Sequence, residues 1–291
     1  MVYLPMQSTK LLRVAMLYGN VFLMISPISE EEKIAVSPEI SAMFKAGMHI
    51  GYAKTRRHPK MRPFIYGTKN NVEVFDLQKV LPKFEEAKNV MRTLAMERKT
   101  ILFVATKASA KDCIRKMAME LGMPYVVERW LGGTLTNFKI ILERVQYWQD
   151  LERQQAEGEF KKYTKHEALK LSQQIEKFRY MFGGLETMSR LPHAMVVIDI
   201  KEEELAVREA EKKGIPILAL SNSDTDPTHI AHVIPANDNA KSSIEFVCEA
   251  LKKAYQDGLT KQIPLPEVVP APISAEKNGG KDVKPKIDTA A

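Results

Sequence analysis

The sequence predicts an α/β fold: a doubly wound parallel sheet with an inserted antiparallel helical hairpin. Three observations carry that expectation. Short apolar, β-branched runs alternate with amphipathic segments, the pattern of strands buried on both faces and joined by crossover helices. Gly122 and Gly214 stand where a helix must stop before the next strand. Between two such halves the apolar spacing changes to alternating three- and four-residue steps.

The elements follow in order. Residues 71–77 alternate through Val72 and Val74 and read as a strand. Over 80–96, Val80, Phe84, Ala87, Met91 and Leu94 recur at helical spacing. The run 100–106 (TILFVAT) is a buried strand, Ser109 is placed to cap a helix over 110–121, and 124–128 is a further strand. Beyond the insertion, 194–200 (AMVVIDI) is a buried strand. The helix over 202–213 is acidic at its start and basic at its end, which suits the helix dipole. Strands over 215–220 and 232–235 and a last helix over 238–255 complete the series. Repeated βα units of this kind imply a parallel sheet.

In the insertion, Phe138, Ile141, Val145 and Trp148 form one seam, and Ala168, Leu171, Ile175, Phe178 and Phe182 form another. A polar break over 157–162 separates them, and Thr164 with Glu167 makes a capping-box pattern. Charged residues outside each seam point to an arm that projects from the sheet; an ordinary pair of surface helices fits the same spacing. The expected organisation is an N-terminal extension over 1–36, an α/β domain from 37–133 and 186–260, a hairpin over 134–185 and a disordered Pro-, Lys- and Ala-rich tail over 261–291. Residues 11–28 are apolar behind Lys10, like a signal or anchor. Arg13 and Asn20 interrupt the run and no small-residue cleavage site follows, so a poorly ordered extension is expected instead.

The chain of 291 residues carries 43 Lys and Arg against 36 Asp and Glu, a net charge of +7. What matters is that the surplus is clustered. From Ile40 to Val72 there is no acidic residue, while Lys45, Lys54, Arg56, Arg57, Lys60, Arg62 and Lys69 interleave with Tyr52, His58, Phe64 and Tyr66. Cations neutralise phosphates and release condensed counterions, and aromatic or guanidinium planes stack on unpaired bases. Pro59 and Pro63 exclude a regular helix, so this stretch reads as an exposed loop that contacts nucleic acid; the bland alternative is a solvated face.

Other candidate sites are weaker. Arg129-Trp130-Leu131-Gly132-Gly133-Thr134, followed by Leu135-Thr136-Asn137, offers glycines and a helix start to an anion, yet matches neither phosphate-binding spacing; a tight turn over a buried Trp130 explains it equally. The strand-end turns 76–79, 199–202 and 222–226 lack glycine or are acidic, which disfavours a pyrophosphate. Asp224, Asp226, His229 and His232 suggest metal ligands, against which Asp226-Pro227 is a good turn. Cys113 and Cys248 lie far apart without paired spacing, indicating neither a disulfide framework nor a thiolate zinc site. No nucleophile elbow, metalloprotease helix or Cys–His pair stands out.

Taken together and in order, several segments resemble the bacterial small-subunit ribosomal protein two family. They are Ala46-Gly47 through His49 and Gly51; Thr55-Arg56-Arg57 with Pro59-Lys60-Met61-Arg62-Pro63-Phe64-Ile65; Ile101-Leu102-Phe103-Val104 with Thr106-Lys107; Arg129-Trp130-Leu131-Gly132-Gly133 with Leu135-Thr136-Asn137; Leu191-Pro192 with Val197-Ile198-Asp199; Gly214-Ile215-Pro216; Asp226-Pro227; and Ile234-Pro235 with Asn237-Asp238. The resemblance spans about residues 38–258. It implies a Rossmann-like, flavodoxin-like α/β domain with an inserted coiled-coil arm, and a structural, non-enzymatic role in binding small-subunit rRNA near the head–body junction late in assembly. It also implies contact with neighbouring small-subunit proteins, including the large multi-domain protein that captures mRNA. No catalytic residue, cofactor, metal, membrane or small-molecule substrate comes with it, and the expected place is a cytoplasmic, bacterial ribosome in preference to an organellar one. The RNA-binding candidates are Lys54, Arg56, Arg57, His58, Lys60, Arg62, Lys69, Lys107, Arg129 and Asn137. The chain departs from the family at Tyr52, where a second histidine is usual, and at His58, which replaces a Trp-Asn pair. It departs again at 222–225 and at His229 and His232, which are not usual there. Two rivals remain: an enzyme or sensor holding a nucleotide or metabolite at Thr106-Lys107 and Gly132-Gly133, and a free regulatory RNA-binder.

Overall fold

The structure, a computed structural model, describes residues 37–260. The extension expected over 1–36 and the tail expected over 261–291 lie outside the described residues. Five strands, β4 (Ile101–Val104), β5 (Tyr125–Val126), β6 (Ala194–Ile198), β7 (Ile217–Ser221) and β8 (His232–Pro235), form one parallel sheet in the order β5-β4-β6-β7-β8. β4, β6 and β7 are apolar almost throughout because helices cover both faces of the sheet. Strand periodicity then divides each run between two cores. Val196 and Ile198 join Ile101 and Phe103 beneath α2 (Leu77–Met96), α3 (Lys111–Leu121) and α7 (Lys241–Thr260). Met195 and Val197 join Leu102 and Val104 on the opposite face, with α6 (Glu204–Lys213) and residues of the insertion.

The chain leaves β4 for β5 on one side and returns to β6 on the other. The direction of winding therefore reverses between β4 and β6, the place where open α/β sheets form their ligand crevice.

The expected strand at 71–77 belongs elsewhere. β3 (Val72–Phe75) pairs antiparallel with β1 (Ile50–Ala53) and β2 (Ile65–Lys69) in a separate three-stranded sheet, β1-β3-β2. Its cause is local. Asn70 and Asn71 both adopt left-handed backbone (φ 50° and 63°), which makes the two-residue turn that a β2–β3 hairpin needs. The basic stretch is accordingly no irregular loop. It holds β1, β2 and two 3-10 helices, Lys54–Arg56 and Pro59–Phe64. Pro59 and Pro63 exclude an α-helix but are accommodated in the 3-10 turns. A short helix, α1 (Pro38–Lys45), precedes them.

Some boundaries move as well. Asp76 caps α2 through the Gln78 N–H, so that helix starts at Leu77. Ser109 is not the cap of α3: the cap is Ala110, and the Ser109 hydroxyl is buried without a hydrogen-bond partner. α7 starts only at Lys241, because the Asn237 side chain accepts the N–H groups of Asn239 and Ala240 and Asp238 is buried in a polar cluster.

Between β5 and β6, α4 (Phe138–Ala156) and α5 (Lys165–Phe182) pack together, with Arg179 on Glu152 at 2.6 Å and Tyr147 edge-on to Phe178. The capping box at Thr164 and Glu167 is formed. Ile141, Val145, Trp148, Ile175 and Phe182 are buried and merge with the second core, which includes Leu102, Val104, Met195 and Val197 of the sheet.

Candidate nucleic-acid interface

The basic stretch is clamped onto the carboxyl end of β7. The Tyr52 N–H donates to the Ser223 hydroxyl at 3.1 Å, and the His58 N–H donates to the Ser223 carbonyl at 2.8 Å. Gly51 makes the approach possible: a Cβ there would lie 3.2 Å from the Glu73 carbonyl and 3.3 Å from the Ser223 hydroxyl.

This clamp sorts the candidate cations into two sets. Arg57 is tied to the fully buried carboxylate of Glu73 at 2.9 Å. Arg56 lies over the Tyr52 ring, 4.2 Å from its centre, and pairs with Asp224 at 3.1 Å. Lys60 pairs with Asp226 at 3.0 Å and also bonds Thr228. Hydrogen bonds from the Thr228 hydroxyl, and then from Lys60, hold the Asp226 carboxyl well below the usual carboxylate range. His58 Nε2 stands 3.9 Å from Asp226, and its buried Nδ1 has no partner. In contrast, Lys54, Arg62 and Lys69 are exposed and have no acidic partner among the described residues. Two exposed rings lie on the same stretch of chain, Tyr66 at 62% and Phe44 at 59%, the latter stacked on His49 at 4.1 Å. Phe44 is not among the sequence candidates; its place on an otherwise amphipathic α1 is the signal that points to it.

Lys107 sits at the crevice between β4 and β6. Its ammonium bonds Asp199 at 2.8 Å and lies 3.4 Å from Asp238, whose carboxylate also accepts from the Asn222 amide at 2.8 Å. Burial and the neighbouring Asp199 push the Asp238 carboxyl up to about 6. Next to it the Thr106 N–H donates to the buried Glu203, a carboxyl that burial drives above its ordinary range.

Arg129 and Asn137 belong to a different turn, ahead of α4. Both are exposed, and Arg129 has no acidic partner among the described residues. The turn between them is fixed by one buried side chain, Glu209 of α6. It accepts from the Trp130 indole at 3.1 Å, from the N–H groups of Gly133, Leu135 and Thr136 at 2.7, 3.0 and 3.0 Å, and from the Thr136 hydroxyl at 3.0 Å. Burial acts to raise the Glu209 carboxyl, but these donors prevail and hold it below its ordinary range. Trp130 is buried beneath the turn.

Both places named for a nucleotide are therefore filled from within. The Thr106 N–H faces Glu203, Lys107 faces two aspartates, and the Gly133 turn faces Glu209. A phosphate arriving at either would meet carboxylates. The imagined metal ligands also disperse. Asp224 pairs with Arg56 and Lys201, Asp226 with Lys60, His229 with Glu211 and His232 with Glu86. Among the described residues no group of three or more His, Cys, Asp or Glu is placed to hold a metal, and no helix is long and apolar enough to cross a membrane.

The family model described as ribosomal protein S2 matches residues 43–258. The chain is 44% identical over 222 residues to the small ribosomal subunit protein uS2 of Roseiflexus sp. (strain RS-1), covering 76% of this chain and 84% of that one. It is 42% identical over 213 residues to the protein of the same name from Chlorobium luteolum, covering 73% and 84%. With that from Chlorobaculum tepidum it shares 38% identity over 244 residues, covering 84% and 98%.

Proposed function

Because the chain belongs to the ribosomal protein S2 family, we propose that it holds small-subunit rRNA in place through the cations of its basic segment that lack an internal acidic partner. The coarser role, a structural and non-enzymatic constituent of the small ribosomal subunit in translation, follows from the family and from the names its relatives carry. It works on the ribosome in the cytoplasm, in association with rRNA and other ribosomal proteins.

The observation that carries the reading is the sorting of charge. Arg56, Arg57, Lys60 and Lys107 balance acids of the body, whereas Lys54, Arg62 and Lys69 are exposed with no such acid among the described residues. A cation already paired inside the protein gains less from a phosphate than a free one. Lys54, Arg62 and Lys69 therefore carry most of the contact, with Arg56, Lys60 and His58 at the margin and Arg57 and Lys107 as the scaffold that shapes the surface. Arg129 and Asn137 form a second contact ahead of α4. Residues 134–185 act as an antiparallel coiled-coil arm inserted between the two parts of an α/β domain, 37–133 and 186–260. That arm meets rRNA or a neighbouring protein, and the body helps to seat the large mRNA-capturing protein.

The test is co-sedimentation of the full chain with small subunits depleted of it, comparing the native chain with Lys54→Glu/Arg62→Glu/Lys69→Glu. The triple variant is expected to stay folded, since none of these side chains has an acidic partner among the described residues, and to lose incorporation by about tenfold or more. Native-like incorporation of a folded triple variant would overturn the reading.

A further inference from the structure

Cys113 and Cys248 are far apart in sequence but adjacent in the fold. α3 packs against α7, and Cys113 of α3 and Cys248 of α7 line the same cavity of about 250 Å³. Both are free thiols whose side chains interact with each other. Cys113 is half-buried, while Cys248, which lines the same cavity, is 2% exposed. We propose that this pair is a modification site: a small peroxide oxidises Cys113, and Cys248 resolves the product into an intramolecular disulfide that pins α3 to α7.

The asymmetry of the two thiols supports this division of labour. Contact with Cys248 holds the Cys113 thiol below its ordinary range, and the Lys252 ammonium acts in the same sense, against burial, Glu245 and Glu249. The neighbouring Cys113 and burial push the Cys248 thiol up. Cys113 is the more exposed of the two and Cys248 the buried partner across the helix contact, the arrangement that favours sulfenic acid followed by a disulfide.

The steps balance. The Cys113 thiolate attacks one peroxide oxygen, the O–O bond breaks, and Cys113 becomes a sulfenic acid as the second oxygen leaves as hydroxide and takes a proton to become water. The Cys248 sulfur then attacks the Cys113 sulfur, the S–OH bond breaks, the S–S bond forms and a second water leaves with the Cys248 proton. Two electrons pass from the thiols to the peroxide. The neighbouring sulfur outcompetes further oxidation of Cys113.

The experiment treats the reduced full-length chain with hydrogen peroxide and follows free thiols, intact mass and migration on a non-reducing gel. Both thiols are expected to vanish together, the mass to fall by about 2 Da for the two hydrogens lost, the chain to stay monomeric, and dithiothreitol to restore it. In Cys248→Ala, Cys113 is expected to stop as a sulfenic acid that dimedone traps; in Cys113→Ala, Cys248 is expected to stay reduced. Independent loss of the two thiols with a gain of oxygen mass, or cross-linked dimers, would overturn the proposal. The native chain alone separates these outcomes, so the test holds whether or not either variant folds.

Discussion

Lys107 shows how a single side chain can decide what a fold does not do. It fills the crevice between β4 and β6 with one ammonium for two carboxylates, Asp199 at 2.8 Å and Asp238 at 3.4 Å. Asp199 is held there by a left-handed backbone (φ 68°) and by the N–H groups of Lys201 and Glu202. Removing one partner of a buried pair costs about 3–5 kcal/mol, because the remaining charge has no compensation. Lys107→Met is therefore expected to lose about 3 kcal/mol in urea unfolding near neutral pH. The pH dependence follows from Asp238, whose carboxyl is raised from 3.8 to about 6. Between those values the folded state binds more protons than the unfolded, so the stability linked to this group is complete below about 4 and is lost as pH rises through about 6. Without Lys107 the proton is held more tightly still. The gap between the variant and the native chain should narrow when both are unfolded near pH 5; an equal gap at both pH values would contradict the coupling.

At the scale of elements, the turn ahead of α4 depends on Glu209. Its carboxylate gathers the Trp130 indole, three backbone N–H groups and the Thr136 hydroxyl, the groups that an anion would otherwise engage. Hydrogen bonds to a charged group contribute about 1.5–3 kcal/mol each, and an orphaned buried donor costs about 1–3 kcal/mol. Glu209→Ala is expected to lower stability by about 3–5 kcal/mol and to speed amide exchange over the start of α4. Native exchange there would mean that the turn is held by packing on Trp130 alone. The sequence makes this motif visible but not its partner, since Glu209 stands far along the chain on a helix whose acids read as surface charge. Parallel strands are easier to recognise. β4, β6 and β7 are buried on both faces, so their apolar runs are unbroken. β1 and β2 escape a reading by periodicity because they are short, half-exposed and interrupted by glycine, and a period of two is hard to see in IGYA or IYGTK. The Asn70-Asn71 pair between two extended segments is the available sign of the hairpin.

Over the whole molecule, the net charge of +7 matters less than where its counter-charges lie. An acid-free segment is folded against acidic strand ends, which pair with Arg56 and Lys60. The acidic turns at Asp199, Asp224 and Asp226 look in the sequence like repulsion of a phosphate. In the fold they are also the anchors of Lys107, Arg56 and Lys60, while Lys54, Arg62 and Lys69 stay exposed. That division is not legible from one dimension, because each pair joins residues remote in the chain. The basic segment itself is legible, as is its resemblance to ribosomal relatives, because both rest on local composition and order.

The most direct test of this division is the salt dependence of rRNA binding by the full chain. The logarithm of affinity should fall linearly with the logarithm of salt concentration, with about 0.7–0.9 of slope for each phosphate neutralised. Lys54→Glu/Arg62→Glu/Lys69→Glu should flatten that slope by about 2 or more, whereas Lys60→Gln should change it much less. A triple variant with the native slope would contradict the claim that the cations without internal partners grip the RNA backbone.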